Sequence, residues 1–177
     1  PIVKTLAERC KHSDQLAAGY ENGTVRLWNH QDGQCLLTLS GHKSAVSALA
    51  FSEDGNFLAS GSHDTDIVLW DTVAESGICR FTGHREPVTG IAFLYGEPNQ
   101  HGVREPKYLI SAGKDHLIKV WDIATQMCVQ TIADHRAEVW SLTVNPEQTR
   151  VVAGSTNHIP RVYKVDPCAK PIKEGDD

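Results

Sequence analysis

The stretch ASGSHDTDIVLWD, residues 59–71, sets Ser60, His63, Asp64 and Asp66 ahead of an apolar run that ends in Trp70 and Asp71. Serine, histidine and aspartate are the parts of a hydrolytic triad, which needs an exposed nucleophile beside oxyanion donors. The same side chains can also tie strands together, because a carboxylate only accepts, an indole N–H only donates, and an imidazole or hydroxyl does both. The spacing decides between the two. Ser60, Asp64 and Trp70 stand at offsets 0, 4 and 10, and Ser111, Asp115 and Trp121 repeat those offsets without a slip. Chemistry rarely needs two copies, and no sharp strand-to-helix turn offers a nucleophile. The pattern therefore reads as a structural strut, and no catalytic residue is expected.

Two further copies are imperfect. Near the start of the chain Ala18 and Asn22 replace the serine and aspartate, and Trp28 is followed by Asn29; near its end Ala153, Asn157 and Tyr163 take the three places. These outer units are expected to lack the full polar network.

The elements that must hold these residues follow from the repeat itself, which is sought first because missing it would misread the whole fold. Trp28, Trp70, Trp121 and Tyr163 are spaced by 42, 51 and 42 residues, and His42, His84 and His135 by 42 and 51. The longer third unit carries an insertion at residues 94–107, LYGEPNQHGVREPK, expected as a surface loop between two strands. Within each unit the apolar residues alternate with a period near two, as in VSALAF and FLASGS, with turn signals such as EDGN and HDTD between them. Four antiparallel strands per unit follow, with next to no helix. The units fall at residues 1–40, 41–82, 83–133 and 134–166, followed by a tail at residues 167–177 too polar and proline-bearing for an outer strand. About fifteen strands are expected in all.

Composition narrows the classes of function. The 177 residues suffice for roughly one domain, and 40% are hydrophobic, enough for a core. With 17 Lys and Arg against 22 Asp and Glu the net charge is −5, so the broad positive field of a general nucleic-acid binder is missing and any RNA contact must be local. No apolar run approaches the roughly 20 residues that span a bilayer, and no charged-then-apolar leader is visible. The chain opens with Pro1 and has a single methionine, Met127, and is read as a piece of a longer protein.

Five cysteines are spread without zinc or redox spacing, which fits a reducing compartment. Cys35 and Cys128 each fall seven residues after a tryptophan and read as packing residues, while Cys10 and His12 read as a surface turn. No phosphate loop, paired carboxylates or histidine pair is found; neither a metal nor a cofactor is expected.

A repeat of this length with Gly-His near its start (Gly41/His42, Gly83/His84) and Trp-Asp near its end (Trp70/Asp71, Trp121/Asp122) resembles the WD-repeat β-propeller family over nearly the whole chain. The resemblance implies an all-β propeller of about four four-stranded blades. It also implies a structural tetrad in which the Gly-His histidine bridges the other three groups: His42, Ser60, Asp64 and Trp70, then His84, Ser111, Asp115 and Trp121. Rings in this family usually have about seven blades, and an open arc would leave apolar faces in water at about 25 cal/mol per Å². The segment is thus expected to sit in a larger ring, or to pair with another copy that closes one. The family's usual docking face, built from the loops between blades and between the second and third strands, would here present Lys43, Ser44, His63, Arg85, Glu86, Lys114, Arg136 and Glu138.

Less generic words, DTDIVLWD followed by ESGICRFTGH, resemble the WD-repeat members found in the UTP-B part of the small-subunit processome, which is associated with a small nucleolar RNA. That resemblance implies a nucleolar scaffold in small-subunit ribosomal RNA maturation, with the proteins of a ribonucleoprotein assembly as partners. The alternative is a generic WD-repeat adaptor, such as a ubiquitin-ligase substrate receptor or a signalling scaffold.

Overall fold

Period-two patterning produces strands along the chain. A computed structural model describes residues 2–8, 14–96, 98, 100, 103–157, 159–164 and 173–174. The strands are β1 (Val3–Glu8), β2 (Gln15–Tyr20), β3 (Thr24–Asn29), β4 (Cys35–Ser40), β5 (Val46–Phe51), β6 (Phe57–Ser62), β7 (Ile67–Asp71) and β8 (Ser76–Phe81). They continue with β9 (Val88–Tyr95), β10 (Pro106–Gly113), β11 (Ile118–Asp122), β12 (Met127–Ile132), β13 (Val139–Val144), β14 (Arg150–Ser155), β15 (Arg161–Lys164) and β16 (Lys173–Glu174). Among the described residues there is no helix. The strands form four antiparallel meanders of four strands, each in sequence order, which makes the fold part of a β-propeller with one sheet per repeat.

The chain divides into two compact units, Pro1–Thr89 and Gly90–Asp177. In the first unit, the apolar faces of the first two sheets meet in a core of Ala17, Val25, Leu27 and Leu39 against Val46, Leu58, Val68 and Trp70. The second unit repeats the arrangement, with Ile110, Ile118, Val120 and Ile132 against Val139, Val151, Ala153 and Tyr163. The third strand of the second sheet, β7, is enclosed on both faces, so Ile67, Val68, Leu69 and Trp70 are all buried. The outer strand is an edge, and β4, β8 and β12 are mostly exposed.

Turn chemistry sets the register. At the four turns between second and third strands, an Asx side chain accepts from the N–H two residues on: Asn22 from Thr24, Asp64 from Asp66, Asp115 from Leu117 and Asn157 from Ile159. The residue after a strand's tryptophan acts likewise in the next turn, where Asp71 Oδ1 accepts from Val73 and Ala74 N–H and Asp122 Oδ1 from Thr125 N–H. Three of the innermost strands carry a bulge, at Val3/Thr5, Val46/Ala48 and Val139/Ser141, which places Lys4, Ser47 and Trp140 outside the regular pairing.

Two expectations need correction. The insertion is not loop throughout residues 94–107: β9 runs to Tyr95, β10 starts at Pro106, and Gly96 N–H donates to Glu105 O. Leu94 and Tyr95 are buried, so the extra residues lengthen the hairpin before they leave it. The fourth sheet, moreover, has an outer strand, since β16 pairs with β15 through Tyr163 opposite Glu174 and Lys164 opposite Lys173. An edge strand needs only backbone groups, and polar composition does not exclude it. Among the described residues there are sixteen strands, against the expected number of about fifteen. The remainder of the polar tail, together with Cys10, His12 and Cys168, lies outside the described residues.

Candidate functional site

Blade two, β5–β8, joins its polar residues into a single chain. β6 supplies Ser60, β7 supplies Trp70, the turn between them supplies Asp64, and the segment entering β5 supplies His42. Trp70 Nε1–H donates to Ser60 Oγ at 2.8 Å, and Ser60 Oγ lies 2.8 Å from His42 Nε2. His42 Nδ1 lies 3.0 Å from Asp64 Oδ2, which also accepts the Lys43 N–H at 2.7 Å. The sequence of partners fixes the tautomer: the serine hydroxyl donates to Nε2, and Nδ1–H donates to the carboxylate.

Burial drives the His42 pKa down, against the opposing pull of Asp64, so the ring stays neutral. Burial acts upward on Asp64, but the Lys43 N–H and His42 outweigh it, and the carboxyl sits below its ordinary range. The contact is therefore a neutral imidazole donating to a carboxylate. Ser60 is fully buried, so no substrate reaches its hydroxyl.

In blade three, β9–β12, Trp121 Nε1–H donates to Ser111 Oγ at 2.8 Å and Asp115 is half-buried in its turn. His84 is buried within the first unit. The outer blades solve the same problem with tyrosines. In blade one, β1–β4, Trp28 Nε1–H donates to Tyr20 Oη at 3.1 Å, with the Arg26 guanidinium 5.2 Å from the Tyr20 ring centre. In blade four, β13–β16, Tyr163 Oη lies 3.0 Å from the buried His135 Nε2. Sequence reading missed both phenols. Tyr20 sits two residues beyond the serine position, and Tyr163 stands where the repeat expects a tryptophan.

The loop residues fall on one edge of each blade. In the first unit Lys43 and His63 are exposed and Ser44 is half-buried. Hydrogen bonds from His63 N–H to Ala45 O and from Ser62 Oγ to Ser44 O bring the two loops of blade two together. Arg85 and Glu86 are exposed between β8 and β9. In the second unit Arg136 is exposed, Glu138 and Lys114 are half-buried, and Thr156 N–H donates to Glu138 O.

One residue of this edge escaped the sequence reading. Trp140, in the β13 bulge, is 49% exposed, with Lys114 Nζ 4.3 Å from its ring centre. The alternation of VWSLTV conceals it, because the bulge takes Trp140 out of the regular pairing. Among the described residues no group of three or more His, Cys, Asp or Glu could hold a metal ion.

Comparison with known proteins agrees with this architecture. Residues 2–165 match the family described as the WDR3 first β-propeller domain. The U3 small nucleolar RNA-associated protein 12 of Saccharomyces cerevisiae is 34% identical over 147 residues, covering 83% of this chain and 14% of that protein. The nuclear distribution protein PAC1 of Arthroderma otae is 29% identical over 157 residues, and nudF of Aspergillus niger 30% over 153; each match covers 85% of this chain and 33% of the relative. The chain thus spans a third or less of these relatives.

Proposed function

The chain belongs to the WDR3 first β-propeller domain family, and from that premise we propose that it is a non-catalytic scaffold working in assembly of the small-subunit processome and maturation of small-subunit ribosomal RNA in the nucleolus. The observation that carries this reading is the family match over residues 2–165, joined by the similarity to a yeast protein whose name associates it with the U3 small nucleolar RNA. The polar groups support it from another direction, because the serine and histidine of blade two are sealed inside the sheet as struts. Loop residues on such a rigid frame are where partners are met. Lys43, Ser44, His63, Arg85 and Glu86 in the first unit, and Lys114, Arg136 and Glu138 in the second, are the proposed docking residues. The apolar side chain of Val162 on β15 is 47% exposed, whereas Leu69 at the same place in blade two is buried, as expected of a face that a further blade covers.

The similarity to nuclear distribution proteins favours a second reading, a general WD-repeat adaptor without a ribosomal task. Affinity purification of the full-length protein separates the two. Co-purification of small-subunit precursor RNA with processome subunits supports the first, and a clean preparation lacking both overturns it. Charge reversal at Arg85 and Arg136 is expected to weaken recovery of those subunits, and unchanged recovery removes these loops from consideration.

A further inference from the structure

Blade two shows how one blade grips the next. Ser47 stands in the bulge between Val46 and Ala48 on the innermost strand β5, outside the regular pairing. Its hydroxyl donates to Val88 O, where β9, the innermost strand of blade three, begins. On the third strand, Val68 and Trp70 face the core shared with blade one, so by alternation Leu69 points the other way, and it is buried there.

Blade four repeats these positions and leaves them open. The bulge between Val139 and Ser141 holds Trp140 at the place of Ser47, and Val162 stands at the place of Leu69. Trp140 is 49% exposed and Val162 47%. Val151, Ala153 and Tyr163 belong to the core shared with blade three, which puts Val162 on the opposite face. The preceding blade already has its contact with Trp140, since Lys114, in the turn between β10 and β11, has Nζ 4.3 Å from the ring centre. An indole, like a hydroxyl, donates a hydrogen bond, and its ring adds contact area that serine lacks.

The spacing of the strands names the segment that reaches this face. Each outer strand runs into the next innermost strand through a short connector, residues 41–45, 82–87 and 133–138. The same step after β16, which ends at Glu174, starts the next innermost strand beyond Asp177. The matched region makes up a third or less of the relatives, which leaves them length for a further meander. So short a tether holds that meander at high effective concentration, ahead of any second copy.

We propose that Trp140 is the anchor between blade four and the meander that follows Asp177 in the full-length protein, its indole seated on the first strand of that meander as Ser47 is seated on Val88, with Val162 covered beside it. The inference concerns how the scaffold is held together and does not depend on its ribosomal task.

Hydroxyl-radical footprinting of the full-length protein tests this, with the oxidation of each tryptophan read by peptide mass spectrometry in native buffer and in urea. Trp140 is expected to lose its reactivity on folding as fully as Trp121, which is 2% exposed, and to keep that protection when the protein is diluted about a hundredfold. Oxidation of Trp140 in native buffer at the rate seen in urea overturns the proposal. Protection that disappears on dilution also overturns it, and gives the face to a second copy. A photo-cross-linker supplies the second measurement. With p-benzoylphenylalanine replacing Trp140, the cross-linked peptide is expected to come from the same chain beyond Asp177, and a cross-link to another protein contradicts the assignment. Neither readout involves ribosomal RNA or processome subunits. Failure of those subunits to co-purify therefore overturns the scaffold reading alone, whereas an accessible Trp140 with retained co-purification overturns the anchor alone.

Discussion

Tyr163 Oη lies 3.0 Å from His135 Nε2, where in blade two the Ser60 hydroxyl lies 2.8 Å from His42 Nε2. A phenol on the third strand thus performs alone what an indole and a serine perform together, and Ala153 stands at the position the serine has left. The exchange is geometric: the phenolic oxygen reaches the histidine directly, whereas the indole N–H needs the hydroxyl as a relay.

Tyr163→Phe is therefore expected to leave His135 Nε2 unpaired inside the sheet and to lower stability by about 1–3 kcal/mol. Tyr163→Trp alone is expected to be at least as harmful, because its N–H finds no acceptor. Adding Ala153→Ser to Tyr163→Trp is expected to recover much of the loss. Urea denaturation of the three variants checks this, and a double variant no better than Tyr163→Trp contradicts the relay.

In blade two the relay makes Ser60 and Trp70 one energetic unit. Ser60→Ala strands both the indole N–H and His42 Nε2 and is expected to cost about 2 kcal/mol or more. Trp70→Phe removes the donor and some buried area together. Because the two residues share a hydrogen bond, their effects are expected to add to less than the sum, with a coupling of about 0.5–3 kcal/mol. Strict additivity in a double-mutant cycle counts against the strut.

The approach of blade one to the His42 segment depends on a missing side chain. Gly23 has φ +82°, and a Cβ there would stand 2.5 Å from the His42 carbonyl oxygen. Gly23→Ala combines a left-handed backbone with a clash against main chain, so a loss of more than about 1 kcal/mol is expected. Thr65 and His116 tolerate positive φ at the matching turns. The close approach, rather than the dihedral alone, is thus what the variant tests; a thermal melt superimposable on the parent's would refute it.

The polar strut was legible because its physics is periodic. Ser60, Asp64 and Trp70 recur at fixed offsets at Ser111, Asp115 and Trp121, and offsets survive without coordinates. The features that were missed depend on local geometry that periodicity averages away. Trp140 is one residue of an apolar strand until a bulge takes it out of the regular pairing, and Tyr20 and Tyr163 become partners only because a longer or directly bonding side chain reaches across a sheet. The insertion was placed too early because Leu94 and Tyr95 extend a strand whose length the other blades do not share. β16 was missed because an edge strand is held through its backbone, to which composition is blind.

Acid is expected to loosen the propeller in two stages, and the signs follow from the buried groups. Burial depresses the pKa of His42, and burial followed by Arg161 depresses that of His135, so unfolding releases rings that bind protons more readily than the folded ones do. The unfolded chain then holds more protons, and stability rises with pH. The histidine contribution is present above the ordinary value of 6.5 and is lost as pH falls below it toward the folded values. Asp64 acts in the same direction at lower pH. Its burial is outweighed by the Lys43 N–H and by His42, so its contribution is present above 3.8 and is lost as pH falls through its depressed folded pKa. The urea midpoint is expected to be level from pH 8 to about pH 7, to decline below 6.5, and to fall more steeply below 3.8. Asp64→Asn is expected to lower the midpoint at neutral pH and to flatten the lower stage. A midpoint that rises between neutral pH and mild acid would show that both histidines gain their protons without strain in the folded sheet, which the sealed relay from Trp70 to Asp64 does not permit.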